Sequence, residues 1–274
     1  MRCRSLFLAL PLFAFTGPGL SQSLPQPSGY DSFVVTAPAE PRPYEFAILG
    51  VKPGMPIEEA LALIEDHLGK ELAPVEGTLQ ITSSDGRAFK TQLRIGYETP
   101  GVDFFLRNQS VEPFDSIEID VSTPASGSVV TAIRREVRMS ASDGSDAASL
   151  LAQLAGLHGT PSETDEAPGQ LTWLWAQDLT YTAIGPVGGG NVPEYACVFG
   201  MPENGQYSYE PPFLSDGPNN CGVTYRVSHR SNGDTVTLRF WLTDYNLVDQ
   251  DREAANAQID EKLNTMPQAS DIKL

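Results

Sequence analysis

Side chains able to do chemistry are few in this chain, and their spacing limits what they can do. The three histidines, His67, His158 and His229, lie far apart, and neither an HExxH pair nor a CxxC pair is present. Zinc needs three or four ligands at short, recurring spacings, so the histidines fit structural roles better: His67 at a helix end, His158 before a stop glycine, His229 near a hairpin turn. No GxSxG nucleophile elbow occurs. Paired carboxylates for acid–base work could hide among 35 acidic residues, but no spacing marks a pair. Arg134, Arg135 and Arg138 form a basic cluster that could hold an anion. Pairing across a hairpin with Glu118 and Asp120 is the simpler use for them.

One stretch departs from the rest in composition. "GPVGGGNVPEYACVFGMPENGQYSYEPPFLSDGPNNCG", residues 185–222, is rich in Gly and Pro and holds Cys197, Cys221 and the aromatics Tyr195, Phe199, Tyr207, Tyr209 and Phe213. An insertion this long inside a compact domain is usually functional or disordered. The aromatics either form a contact surface, because Tyr joins large area to a polar tip, or pack down to anchor the loop. Cys197 and Cys221 are predicted to form a disulfide that would stabilise by about 3 kcal/mol in the chain-entropy model. The triple glycine is no dinucleotide fingerprint, since Pro193 and a strand-like segment follow it where a helix is needed. No metal and no cofactor are expected.

That pairing requires an oxidising compartment, and the N-terminus supplies one. "MRCRSLFLALPLFAFTGPGLSQS" has basic residues, a ten-residue apolar run and small residues, the pattern of a signal peptide over residues 1–23, cleaved after Ser21 or Ser23. Location is therefore expected to be periplasmic or secreted. Cys3 lies before the apolar run, so no lipid anchor is predicted, and no stretch approaches the roughly 20 apolar residues of a membrane helix. With Arg2 and Arg4 removed from the 18 basic residues, sixteen face 35 acidic ones, a balance of −19. Such a surface repels phosphate backbones, which argues against nucleic acid as a partner.

The elements that would position these residues are legible from periodicity. Residues 24–43 carry Pro25, Pro27, Pro38, Pro41 and Pro43 and read as an extended linker or arm. In "GVKPGMPIEEALALIEDHLG", Ile57, Leu61, Ile64 and Leu68 make one helical stripe that Gly69 ends. The Gly-Pro start looks like a phosphate loop, but Glu58 and Glu59 would repel an anion there, and no Lys-Ser or Lys-Thr pair follows. Strand-like segments come next, with a hairpin around "PASG" that sets Ile119 against Ile133 and Glu118 against Arg134.

The order then repeats. "SDAASLLAQLAGLHG" puts Ala147, Leu150, Leu151, Leu154 and Leu157 on a helical stripe, with Ser142, Asp143 or Ser145 as cap and Gly159 as stop. Strands "QLTWLWA", "LTYTAI", "CGVTYRVSHR" and "DTVTLRFWLTD" follow. A turn at Asn232-Gly233 would pair Val223 with Leu242, Tyr225 with Phe240, Val227 with Leu238 and His229 with Val236. A helix over about Val248 to Leu263 comes last.

The expectation is an α+β fold of two tandem modules, residues 44–140 and 141–264, each a helix on one face of an antiparallel sheet of about four strands. Residues 265–274 form a polar tail. The helix entry "GVKPGMPIEEALALIEDHLG" and the turn "LAGLHGTPSE…LTWLWA" resemble those of the BamE/SmpA outer-membrane assembly lipoproteins, and the tandem order is similar to the beta-lactamase inhibitor proteins. Gly54, Met55, Glu59, Gly159 and Pro161 carry the resemblance, while Pro56 stands where that family has a capping Ser or Thr. The resemblance implies an exported, non-catalytic protein-binding module. An envelope hydrolase working on glycan or peptide through carboxylates is the alternative.

Overall fold

Why the segment before the first helix turns is visible in its backbone. In the computed structural model, which describes residues 26–37, 46–101, 112–144, 146–165, 169–176 and 221–267, Gly54 has φ 86° and donates its N–H to Val130 O at 2.7 Å. Val130 N–H returns a bond to Met55 O at 2.9 Å. The glycine thus lets the chain dock on a strand before helix α1 (Ile57–Leu68) begins. Pro56 caps α1 without a side-chain bond, Glu58 and Glu59 sit in its first turn, and Gly69 ends it at φ 64° with its N–H on Glu65 O. Ile57, Ala60 and Ile64 are buried, whereas Leu61 and Leu68 pack at the margin.

Four strands follow: β1 (Ala73–Thr82), β2 (Ala88–Glu98), β3 (Phe114–Val121) and β4 (Val130–Ser140). The expected pairs Ile119–Ile133 and Glu118–Arg134 are both present in the β3–β4 hairpin. Its turn holds a short 3-10 segment, Pro124–Ser126, ended by Gly127 at φ 93°. Helix α2 (Ala147–His158) then opens on Asp146, whose side chain accepts Ser149 N–H at 3.1 Å. Its cap is therefore Asp146 in place of Ser142, Asp143 or Ser145, because only Asp146 stands one residue before the helix. Leu154 is buried and Leu150 and Leu151 pack on the core, but Leu157 is 77% exposed.

Strands β5 (Glu163–Asp165), β6 (Gln170–Ala176), β7 (Cys221–Asn232) and β8 (Thr235–Asp244) complete the sheet, and α3 (Tyr245–Thr265) follows at once. Asp244 caps α3 by accepting Leu247 N–H at 3.0 Å. The β7–β8 register departs from expectation by two residues: Val223 faces Asp244, Tyr225 faces Leu242, Val227 faces Phe240, and Asn232 faces Thr235. The turn residues are thus Gly233 and Asp234, with Gly233 at φ 59°. A turn of this kind needs positive φ only at its first central position, which Gly233 supplies while Asn232 stays in the strand. A shift of two keeps every side chain on its expected face.

The larger correction concerns layout. The α+β class holds, but the two sets of four strands are halves of a single antiparallel sheet in the order β1-β2-β3-β4-β8-β7-β6-β5. β4 and β8 pair from Ala132–Thr243 to Ser140–Thr235. Each would otherwise be an exposed edge, and joining them satisfies both sets of main-chain groups. It also merges the interiors: Ile57 and Ile64 of α1 and Leu154 of α2 share one cluster with Ile117, Ile133, Leu171, Tyr225 and Leu242.

A second apolar cluster lies on the opposite face, at the β1–β2 end. There Leu79, Phe89 and Leu93 pack against Ala255, Ile259 and Leu263 of α3 and Phe33 of the arm. The arm, residues 26–37, runs along β2 where β3 has left it, since β2 and β3 pair only over Gly96–Asp120 to Glu98–Glu118. Gln26 and Asp31 take up the main-chain groups of Gln92 and Lys90 that β3 leaves open. Among the described residues no helix is long and apolar enough to cross a membrane.

Candidate binding face

Alternation along the central strands puts apolar side chains under α1 and α2 and polar ones on the reverse face. Register then lines the polar ones up. One row runs Glu118, Arg134, Trp241, Arg226 across β3, β4, β8 and β7; the next runs Ser116, Glu136, Arg239, Ser228; a third runs Phe114, Arg138, Thr237, Arg230. In an acidic chain, five arginines and a tryptophan therefore gather on three adjacent strands.

Their contacts divide into held and offered groups. Arg134 donates from Nε to Glu118 Oε2 at 3.0 Å and from both Nη atoms to Asp120, at 2.9 and 2.7 Å. Burial pushes the Asp120 carboxyl above the usual carboxylate range, opposed by this bidentate arginine. The same carboxylates raise the Arg134 pKa against its own desolvation, which keeps it cationic. Glu136 accepts from Arg239 Nε at 3.0 Å and from Arg138 at 3.5 Å. Arg138 lies 4.7 Å above the Phe114 ring and is nearly buried. Arg226 stands 5.9 Å from the Trp241 ring centre, a separation at which a guanidinium is still attracted by the ring face. Arg239 keeps a third of its side chain exposed, and Arg230 is exposed.

The arrangement sets a carboxylate-held guanidinium and a second arginine on either side of an aromatic ring. Glu118, Asp120 and Glu136 are each bonded to arginines. The arginine–tryptophan grid offers donors in planar forks and a flat apolar face, the two side-chain types most enriched at protein-interface hot spots.

The residues singled out from sequence distribute differently. Tyr195, Phe199, Tyr207, Tyr209, Phe213 and Cys197 lie outside the described residues, as does the expected strand "LTYTAI". Cys221 opens β7 opposite Ala176 of β6. His67 Nε2 is 3.2 Å from both Asp115 Oδ2 and Arg135 Nη2, and Arg135 also donates to Asp115. Of the basic cluster, Arg134 and Arg138 thus share the polar face and Arg135 takes the other. The His158 ring packs at a tilt against Phe46 at 4.7 Å and edge-on against Tyr225 at 5.4 Å, where burial lowers its pKa. His229 is buried and donates its main-chain N–H to Gly169 O. Among the described residues no group of three His, Cys, Asp or Glu is placed to hold a metal.

Trp241 and Arg226 were not legible as a pair from sequence. In the expected register Trp241 would face Thr224 and Arg226 would face Arg239; the two-residue shift brings Trp241 against Arg226. The alternation of both strands already placed all four on the polar face, and that was the available signal. No protein-family model, curated protein or solved structure matches this chain.

Proposed function

We propose that the chain is an exported, non-catalytic protein-binding module of the periplasm or the secreted fraction, acting in envelope assembly or as an inhibitor. Its contact surface is the arginine–tryptophan face of β4, β8 and β7, together with the aromatic segment that enters between β6 and β7. The observation that carries this reading is the cross-strand line Arg134–Trp241–Arg226. One member is locked by carboxylates and the others keep partial access, so an acidic, planar-rich partner surface meets fixed donors beside an aromatic plate. The helix-entry resemblance to BamE/SmpA domains supports the same class of role. Energy spent on ion-pairing Glu118, Asp120 and Glu136 fits a rigid recognition surface better than a hydrolase needing two free carboxyl groups.

The test is capture from an envelope extract on the immobilised mature protein, comparing the wild type with Trp241→Ala/Arg226→Ala and with Tyr207→Ala/Tyr209→Ala. A specific partner retained by the wild type and reduced at least tenfold by the first pair supports the reading, since two interface hot spots contribute more than 2 kcal/mol together. Equal recovery on all three proteins refutes it.

A further inference from the structure

The sheet has two outer edges, and the chain treats them differently. β5 is three residues long, Glu163–Thr164–Asp165, short and acidic, which is how edge strands are kept from pairing. The inner free edge of β2 is covered by Gln26 and Asp31 of the arm. β1, by contrast, runs for ten residues, and among the described residues nothing bonds to its outer side. From Gly77 to Thr82 it reads Gly-Thr-Leu-Gln-Ile-Thr, with no charge and no proline, in a chain of net charge −17. In an antiparallel ladder alternate residues direct both N–H and C=O away from the partner strand, so this segment presents a row of unpaired main-chain groups.

The strand is also complementary to itself. A two-fold axis through Leu79 places Leu79 opposite its own copy, Gly77 opposite Ile81, Thr78 opposite Gln80, and Glu76 opposite Thr82. No like charges meet. Leu79 and Ile81 belong to the apolar row under α3, so that row would continue across the seam, while Thr78 and Gln80 are exposed on the other side. We infer that β1 is a homodimerisation edge: two copies pair antiparallel through Gly77–Thr82 to make one sheet of sixteen strands, with Leu79 at the axis. A second copy suits this edge because it brings the same uncharged segment in matching alternation, whereas an acidic or basic strand would leave its charges against Thr and Gln. This surface is separate from the arginine–tryptophan face and does not rest on it.

Thr78 and Gln80 allow a test of register as well as of contact. Both are exposed, and within the chain they face Gln92 and Lys90, so Thr78→Glu/Gln80→Glu leaves the monomer's own pairing free of new repulsion from β2. At the seam it sets glutamate against glutamate twice. Thr78→Lys/Gln80→Glu sets lysine against glutamate twice. Sedimentation equilibrium of the purified mature protein should show a concentration-dependent dimer for the wild type. For Thr78→Glu/Gln80→Glu dimerisation should weaken about tenfold or more, and for Thr78→Lys/Gln80→Glu it should return to wild-type affinity or better, since each cross-strand charge pair shifts the balance by up to about 1 kcal/mol. A wild type that stays monomeric at every concentration overturns the inference. So does equal dimerisation of both variants, which would place the interface elsewhere. Amide exchange protection over residues 77–82 that appears only when envelope extract is added would assign the edge to a foreign strand and overturn it too.

Discussion

Ile133 in β4 lies directly across from Leu242 in β8, and both are fully buried. The pair ties the first helix-and-four-strand set to the second, and their side chains belong to one interior with residues of α1 and α2. Neither half can lose this contact and keep its core closed. Ile133→Ala and Leu242→Ala should each cost about 2–5 kcal/mol, the range for emptying a buried aliphatic site. Urea unfolding followed by far-ultraviolet dichroism and by tryptophan fluorescence should give coincident transitions for the wild type. Separate transitions would show that the halves fold as independent units.

Asp251 offers a second test. Its carboxylate, 6% exposed, accepts Thr123 N–H at 2.9 and 3.0 Å, and the hydroxyls of Thr123 and Ser126 at 2.5 Å each, pinning α3 to the β3–β4 turn. Asp251→Ala leaves these donors without an acceptor and should cost about 3 kcal/mol. Burial raises the folded-state pKa of this group despite the bonds. Its contribution is therefore complete below the unfolded carboxyl pKa, about 3.9, and is lost as pH rises through the higher folded value. Asp251→Asn keeps an acceptor and does not titrate. The melting temperature of Asp251→Asn relative to wild type should climb as pH rises above about 4, and a flat difference would contradict the assignment.

Arg134 anchors the polar face, and its loss leaves Glu118 and Asp120 as uncompensated, largely buried carboxylates. Arg134→Ala should destabilise by about 3–5 kcal/mol, as removal of one partner from a buried charge cluster does. Arg134→Lys should recover only part of this, because an ammonium cannot meet Asp120 with two parallel bonds. Denaturant midpoints of the two variants check the order.

Gly96 sits where β2 joins β3 for only three pairs, and a Cβ there would run into the main-chain oxygen of Ile119. The obstacle is backbone, which cannot rotate away. Gly96→Ala should part this short join and cost more than about 2 kcal/mol, with amide exchange accelerated in Tyr97 and Glu98 before the rest of the sheet.

How much of this was written in the sequence follows from the range of each interaction. Local signals held: Gly69 and Gly159 stop helices, and the β3–β4 alternation fixed Ile119 against Ile133. The β7–β8 hairpin is legible but its register lies two residues from the one Asn232-Gly233 predicts, because Asn232-Gly233 and Gly233-Asp234 are both competent turns and a two-residue slip leaves every face unchanged. That slip hid the Arg226–Trp241 pair. The β4–β8 join was not legible at all, since strands separated by a whole half-chain pair through main-chain groups that carry no sequence identity. The same holds for Asp251 and Thr123, which meet across 128 residues.

The recognition role assigned to the polar face is tested most directly by contact in the cell. A photo-crosslinking amino acid placed at Trp241, with Leu157 on the exposed side of α2 as control, should form a defined adduct with an envelope or secreted protein from position 241 and none from position 157. The adduct should disappear when Arg226 and Arg239 are changed to Ala. Irradiation that yields no adduct from position 241, or the same adducts from both positions, would contradict the account.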